Sequence, residues 1–363
     1  MDNRRRITPD SGKKGKAEVN RSAKKGARSN VAPDRSSGGL SDEKKKAIRE
    51  GTLGVSPAAP AREPIITSEE DIERAREISP YLTSGSRDIS VPLSAESIKA
   101  FQVYAAMLRK WNEKMNLTNI VDDQGIAIRH FIDSLTLVAH IEEEERKQGR
   151  QDLSLIDVGT GAGFPGIPLK VTMPQLHITL LDSLKKRVGF LDAVCEALNL
   201  SKITTVHSRA EEAAKNKQYR EKYDIATARA VASLPTLCEY CMPYVKVGGI
   251  FLAMKGHAED EIGQAEKAIV TLGGTIEDVH EFLLPGTEMK RTVLVIRKIR
   301  STPARYPRGQ GKAEKEPILK DSVSPGKISS QKPGMVRIRP SFRSRRGRHR
   351  SYDLQYPSCC RKR

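Results

Sequence analysis

The rhythm of apolar and polar positions divides the chain into a quiet beginning, a strongly periodic middle and a quiet end. Residues 1–62 are mostly Lys, Arg, Ser, Gly and Pro, with few large apolar groups. Such a composition cannot offset the entropy of ordering the backbone. Residues 67–78 predict a short helix opened by a capping box of Thr67 and Glu70. Ser94 then reads as an N-cap, and Ile98, Phe101, Ala105, Leu108, Trp111 and Met115 follow at helical spacing. That stripe reads as core rather than as a platform for stacking bases. A second helix starts after Asp122 and Asp123 and carries Arg129, His130, Asp133, Ser134 and Leu135. The charge run at 142–150 reads as a solvated linker.

From Leu153 onward, short apolar runs alternate with helical patterns. Strands are expected at 153–158, 178–181, 203–206, 224–228, 250–254 and 293–296, with a further one near 275–282. Helices are expected at about 185–198, 211–222, 234–245 and 260–272. Successive βα units call for an α/β fold whose mostly parallel sheet is covered on both faces. Ligands in such sheets bind beyond the carboxyl ends of the strands. That rule selects the glycines after the first strand, Asp182 after the second, residues 208–211 after the third and Arg229 after the fourth.

Charge sharpens the division. Residues 1–87 hold 19 basic and 13 acidic side chains, residues 88–300 hold 27 and 28, and residues 301–363 hold 17 and 4. We therefore expect a basic, mostly disordered extension over 1–87 and a helical part of the catalytic domain over 88–150. The α/β domain would span 151–300, and a basic, disordered tail 301–363. Basic arms suit a polyanion, because each Lys or Arg that meets a phosphate releases counterions. They also serve as solvating tails. The densest basic run is 341–350, with Arg343, Arg345, Arg346, Arg348 and Arg350. It is expected to bind the phosphates of a polyanion without sequence preference. Five cysteines do not make a disulfide framework in a chain this long. Cys238 and Cys241 form a lone CxxC and read as buried thiols rather than metal ligands. No apolar run suggests a membrane span or a signal peptide. The expectation is a cytoplasmic protein without metal, with a monomer favoured.

The chemistry gathers at residues 153–168, where an apolar strand breaks into Gly159, Gly161, Gly163 and Gly166 before a helix start. A dinucleotide site needs Gly-x-Gly-x-x-Gly; counted from Gly159 its third position is Phe164, so the motif fits only in a register shifted to Gly161, Gly163 and Gly166, with Pro165 inside the turn. The better fit is Asp157-x-Gly159-x-Gly161-x-Gly163, the pattern of class I S-adenosylmethionine-dependent methyltransferases. Asp182 lies where a carboxylate can accept both ribose hydroxyls, or where it can cap the following helix. Glu211 lies beside the expected adenine, at what is also a helix N-terminus. Arg229 points to the methionine carboxylate or to a substrate phosphate. His130 and Asp133, three apart on one helix, form either a functional pair or an oriented structural histidine. No dedicated base is evident. An acceptor with its own lone pair needs none, since proximity and in-line orientation supply the main effect.

Seven blocks in order resemble the bacterial 16S rRNA guanosine-N7 methyltransferases, the small-subunit methyltransferase G family, also called glucose-inhibited division protein B. They lie at 111–118, 129–135, 157–169, 181–187, 208–212, 228–230 and 255–256. The resemblance spans roughly residues 98–300. It implies a Rossmann-like, seven-stranded class I methyltransferase fold. It also implies S-adenosyl-L-methionine as methyl donor and N7 of a guanosine in the decoding-region loop of 16S rRNA, or of the small subunit, as acceptor. Carried over, the cofactor contacts are Gly159, Phe164, Ala210, Glu211 and Arg229. Gly161, Gly163 and Asp182 join them from the strand-end reading. Asn116, Arg129, His130 and Asp133 are the substrate-side candidates, and no catalytic base is assigned. The alternatives are a class I methyltransferase for a small molecule and a non-catalytic ribosome-binding relative.

Overall fold

The computed structural model describes residues 68–256, 258–319 and the backbone of 338–340. The N-terminal arm up to residue 67, the run at 341–350, Cys359 and Cys360 lie outside the described residues. Five parallel strands form the centre of one sheet: β1 (Ser154–Val158), β2 (His177–Asp182), β3 (Ile203–His207), β4 (Tyr223–Arg229) and β5 (Val245–Lys255). A hairpin of β6 (Gly274–Leu283) and β7 (Lys290–Lys298) completes it, with β7 antiparallel to β5. A three-residue strand, β8 (Ile338–Pro340), pairs in parallel with β6. The order is β3-β2-β1-β4-β5-β7-β6-β8. All seven expected strands are present, and the eighth is an addition from the basic tail.

Strand order reverses between β1 and β4, so their carboxyl ends open a crevice. The runs Leu155–Val158 and Tyr223–Ala228 are buried on both faces, as a covered parallel sheet requires. One core cluster fills the face shared with the N-terminal helices. A second lies under the helices Leu234–Cys241 and Glu259–Thr271. Cys238 and Cys241 are free and buried in that second cluster.

Four expectations are corrected. The N-terminal helices belong to the core. Ala75, Ile78 and Leu82 are fully buried, and the capping box joins Ser68 to Asp71, one position later than expected. The domain therefore begins near residue 68 rather than 88, because this segment covers apolar surface of the later helices. The charge run at 142–150 is no linker. It lies mostly in the helix Val138–Gln148, where Glu144 is 1% exposed and grips both terminal nitrogens of Arg297 on β7, each at 2.9 Å. The helix expected at 211–222 is only one turn, Ala210–Ala213. Finally, the fold continues past residue 300. Arg308 forks onto Glu239, which is 1% exposed on its side chain, and Thr236 donates to the Ala313 carbonyl. The excess of basic residues in 301–363 concealed this strap.

The strap yields a first prediction. Removing Arg308 leaves a buried, uncompensated carboxylate, so Arg308→Ala should destabilise the fold by about 2–4 kcal/mol. A chain ending at residue 340, which keeps both the strap and β8, should keep its melting temperature. Chemical and thermal denaturation of the two variants checks both statements.

Candidate active site

The site is built where the strand ends meet the N-terminal helices. The glycine turn after β1 is held from three sides. The Gly159 and Thr160 amides donate to the Leu181 carbonyl at the end of β2. The Tyr104 hydroxyl, from the helix Ala95–Met115, donates to the Ala162 carbonyl. The fully buried Asp157 carboxylate accepts the Thr160 hydroxyl at 2.6 Å and the Gly166 amide at 2.8 Å, both on Oδ2. Its Oδ1 is buried without a hydrogen bond in the structure. Burial pushes this carboxyl up to about 6, against the pull of those two hydrogen bonds.

The three glycines serve different purposes. All have positive φ, +70° at Gly159, +62° at Gly161 and +98° at Gly163, a region that other residues enter at a cost. A Cβ on Gly161 would meet nothing within 4 Å. A Cβ on Gly159 would meet Val231 at 2.9 Å, so that glycine makes room for a neighbouring side chain. On Gly163 it would strike the Tyr104 hydroxyl at 2.5 Å and Ile167 at 2.6 Å. Gly163 thus serves packing beneath the turn and does not face the groove, contrary to the expectation that it contacts a ligand.

A groove runs along this turn. One part is lined by Gly159, Gly161, Phe164, Asp182, Arg229 and Val231, among others. The adjoining hollow is lined by Ala210, Glu211, Tyr240 and Glu314, and shares Gly159, Asp182, Ser183 and Val231 with the first. Asp182 is buried and braced within the protein: it accepts the Gly161 amide at 2.9 Å and the Leu184 amide at 2.8 Å. The residue capping the next helix is Leu184, so Asp182 itself is not the N-cap. Glu211 is buried and paired with Arg209 at 2.8 Å. Tyr240 and Glu314, joined by a hydrogen bond of 3.2 Å, were missed in the sequence. Glu314 arrives on the strap, and no local pattern announces that.

A cleft of about 370 Å³ opens on the other side of Arg229, lined by Arg129, His130, Asp133, Lys255, Phe282 and Arg291 among others. The Arg229 guanidinium is firmly held. Its Nη1 donates to Asp133 Oδ2 at 3.1 Å and to the carbonyls of Arg129 and His130 at 3.2 and 3.4 Å. Its carbon lies 5.0 Å from the centre of the Phe164 ring. The nitrogen expected to reach a ligand carboxylate therefore holds a protein carboxylate, brought from almost 100 residues away. His130 and Asp133 meet through Arg229 rather than directly, because Ile126–Ile132 is π-helical and its wider turn rotates His130 away from Asp133. His130 stacks on Phe164 at 4.5 Å, and its Nε2 pairs with the Thr118 hydroxyl at 2.8 Å. Burial, then Arg229 and Arg129, hold its imidazole down to about 3, so the ring is neutral near neutral pH. Phe164 is packed among His130, Tyr104 and Phe131, and is only 6% exposed. It stiffens the wall more than it offers a face. Asn116 lines neither space. It is the exposed, left-handed C-cap of the helix Ala95–Met115. Leu117 and Thr118 reach the groove instead.

Residues 97–290 match the family described as rRNA small subunit methyltransferase G. The ribosomal RNA small subunit methyltransferase G of Acetivibrio thermocellus is 51% identical over 246 residues, 68% of this chain and 99% of that protein. Its namesakes in Clostridium botulinum and Bacillus subtilis are 46% and 45% identical, each over 65% of this chain and 97% of their own length. The chain belongs to the rRNA small subunit methyltransferase G family. Its strand order, with one antiparallel strand between β5 and β6, is that of the class I methyltransferase fold. Among the described residues, no group of three His, Cys, Asp or Glu could hold a metal ion. No described helix is long and apolar enough to cross a membrane.

Asp157 gives a pH prediction. Its folded value, about 6, lies above the unfolded one, so its contribution to stability is complete in acid and is lost as pH rises through 6. Asp157→Asn cannot titrate. Between pH 4 and pH 8 the stability of the native chain relative to Asp157→Asn should fall by up to about 3 kcal/mol. Parallel denaturation curves at a series of pH values measure it. A constant difference would show that Asp157 does not titrate in the fold.

Proposed function

We propose that this chain transfers a methyl group from S-adenosylmethionine to N7 of a guanosine in 16S rRNA, with the donor in the groove and the base in the cleft. The observation that carries this reading is a shared wall: His130, Arg229 and Ala230 line both spaces. The two spaces adjoin along these residues, so a group held in one would lie beside a group held in the other. Ala230 stands in the left-handed region at φ +55°, so the backbone turns sharply where the two spaces meet.

The groove fits the donor. The bare backbone at Gly161 opens on free space, as close passage of a ligand requires. Asp182 retains acceptor capacity toward ribose hydroxyls beyond the two amides it binds. Ala210 and Glu211 border the hollow beyond it, where adenine would sit, and Glu314 and Tyr240 add acceptors on its far side. Gly159 and Phe164 shape the turn. Arg229, clamped by Asp133, presents its remaining donors to the methionine end.

S-adenosylmethionine held along Gly159, Gly161, Asp182 and Glu211 would supply an electrophilic methyl to the N7 lone pair, its C–S electron pair going to sulfur and the positive charge to guanine. The protein's share is position and electrostatics. N7 loses no proton, which agrees with a neutral, hydrogen-bonded His130 rather than a poised base. Arg129, Arg229, Lys255 and Arg291 around the cleft favour a phosphate-bearing acceptor over a small neutral molecule. An rRNA substrate places the reaction with the ribosome, in the cytoplasm.

Mapping N7-methylguanosine in 16S rRNA with and without this protein tests the reading. Labelled methyl found only on small molecules would favour the small-molecule alternative, and failure to bind S-adenosylmethionine would favour a non-catalytic relative. Gly161→Ala should weaken S-adenosylmethionine binding at least tenfold by calorimetry, since its methyl enters the groove. The left-handed backbone should add only about 1–2 kcal/mol of destabilisation. Unchanged affinity would displace the donor from this turn.

A further inference from the structure

The cleft gathers four cationic side chains around one acid. Arg129, Arg229, Lys255 and Arg291 line it, and among the described lining residues Asp133 is the only carboxylate. Lys255 is neutralised elsewhere, 2.9 Å from Glu261. Asp133, 4% exposed, is divided between two strands. Its Oδ2 accepts from Arg229 at the end of β4, and its Oδ1 accepts Nε of Arg291 on β7 at 2.9 Å. Two fixed guanidiniums therefore share a single carboxylate beside the place where groove and cleft meet. The Arg129 guanidinium is exposed, so water screens its charge, and the carbonyls of Arg129 and His130 add only dipoles to this balance. His130, held neutral, adds no charge.

We propose that Asp133 is a positioning residue that also balances charge: it fixes Arg229 and Arg291 on the cleft wall and offsets the positive charge a base gains when its ring nitrogen is methylated. This rests on the reading of guanine N7 as the acceptor. Methyl transfer carries one positive charge out of the groove and into the cleft. With Asp133 in place, the triad facing that charge sums to +1. Without it, the sum is +2, in a partly desolvated space where like charges repel more strongly than in water. Asp133 also comes from the N-terminal helical part, so its two bonds hold two neighbouring arginines in register that would otherwise move apart. A neutral base is nearly indifferent to the balance, whereas a cationic one is not.

The test needs no methyl donor. Two short RNA oligonucleotides, identical except that one carries N7-methylguanosine in place of a guanosine, are titrated against the full chain at mildly acidic pH, where the methylated base keeps its charge. Asp133→Asn should weaken binding of the methylated RNA about tenfold more than binding of the unmethylated one. Adding Arg291→Gln should restore most of that difference by removing the uncompensated cation. Arg291→Gln alone should raise the preference for the methylated RNA, which keeps the proposal testable if Asp133→Asn melts early. In turnover, Asp133→Asn should lower kcat with little change in KM for RNA. Equal weakening of both RNAs, or no recovery in the double variant, overturns the proposal and leaves a merely structural carboxylate. If the unaltered protein forms no N7-methylguanosine in 16S rRNA, the acceptor reading fails instead.

Discussion

The site depends on one guanidinium and what holds it. Arg229 ends β4, the strand beside the glycine turn, and reaches across to the helical part of the domain. There one carboxylate and two backbone carbonyls converge on a single nitrogen. The wider turn of the π-helical stretch Ile126–Ile132 brings those two carbonyls and Asp133 to the same point. Phe164 lies beneath the guanidinium and His130 stacks on Phe164, so four side chains form one wall. This contact fixes the boundary that groove and cleft share, and for the proposed transfer to N7, which removes no proton, proximity is the main effect.

The same device recurs through the molecule. Glu144 with Arg297, Glu239 with Arg308, and Asp133 with Arg229 and Arg291 each join segments distant in sequence through a buried carboxylate. Such pairs add little net stability over apolar substitutes, but breaking one leaves a buried charge unpaired. Here they fix where helices and strap dock on the sheet. That is how a helical segment and a C-terminal strap come to line a site whose floor is the α/β core.

Electrostatics near the glycine turn follow from depth. Asp157, Asp182 and Glu211 are all buried, yet they meet different partners. Asp157 shares one oxygen between two donors and leaves the other unsatisfied, so burial prevails and its carboxyl rises. Asp182 divides its two oxygens between two amides and has Arg187 at 3.6 Å. One braces the turn from within, and the other ties it to the neighbouring strand end.

By itself the sequence determined the seven strands, their parallel wrapping, the glycine turn and the strand-end positions of Asp182, Glu211 and Arg229. Those depend on local periodicity, on backbone freedom at glycine and on a topological rule, all carried by neighbouring residues. Ordered blocks also carried the family. Only the tertiary structure decided that Arg229 is clamped by Asp133, that Gly163 serves packing while Gly161 opens on the groove, and that Glu314 and Tyr240 border it. It also decided that the charge run around Glu144 and the basic stretch around Arg308 are parts of the fold. Composition averages charge over a segment. Whether a given carboxylate or guanidinium is solvated or buried depends on a partner some 70 to 150 residues away, and nothing local in the chain encodes that meeting.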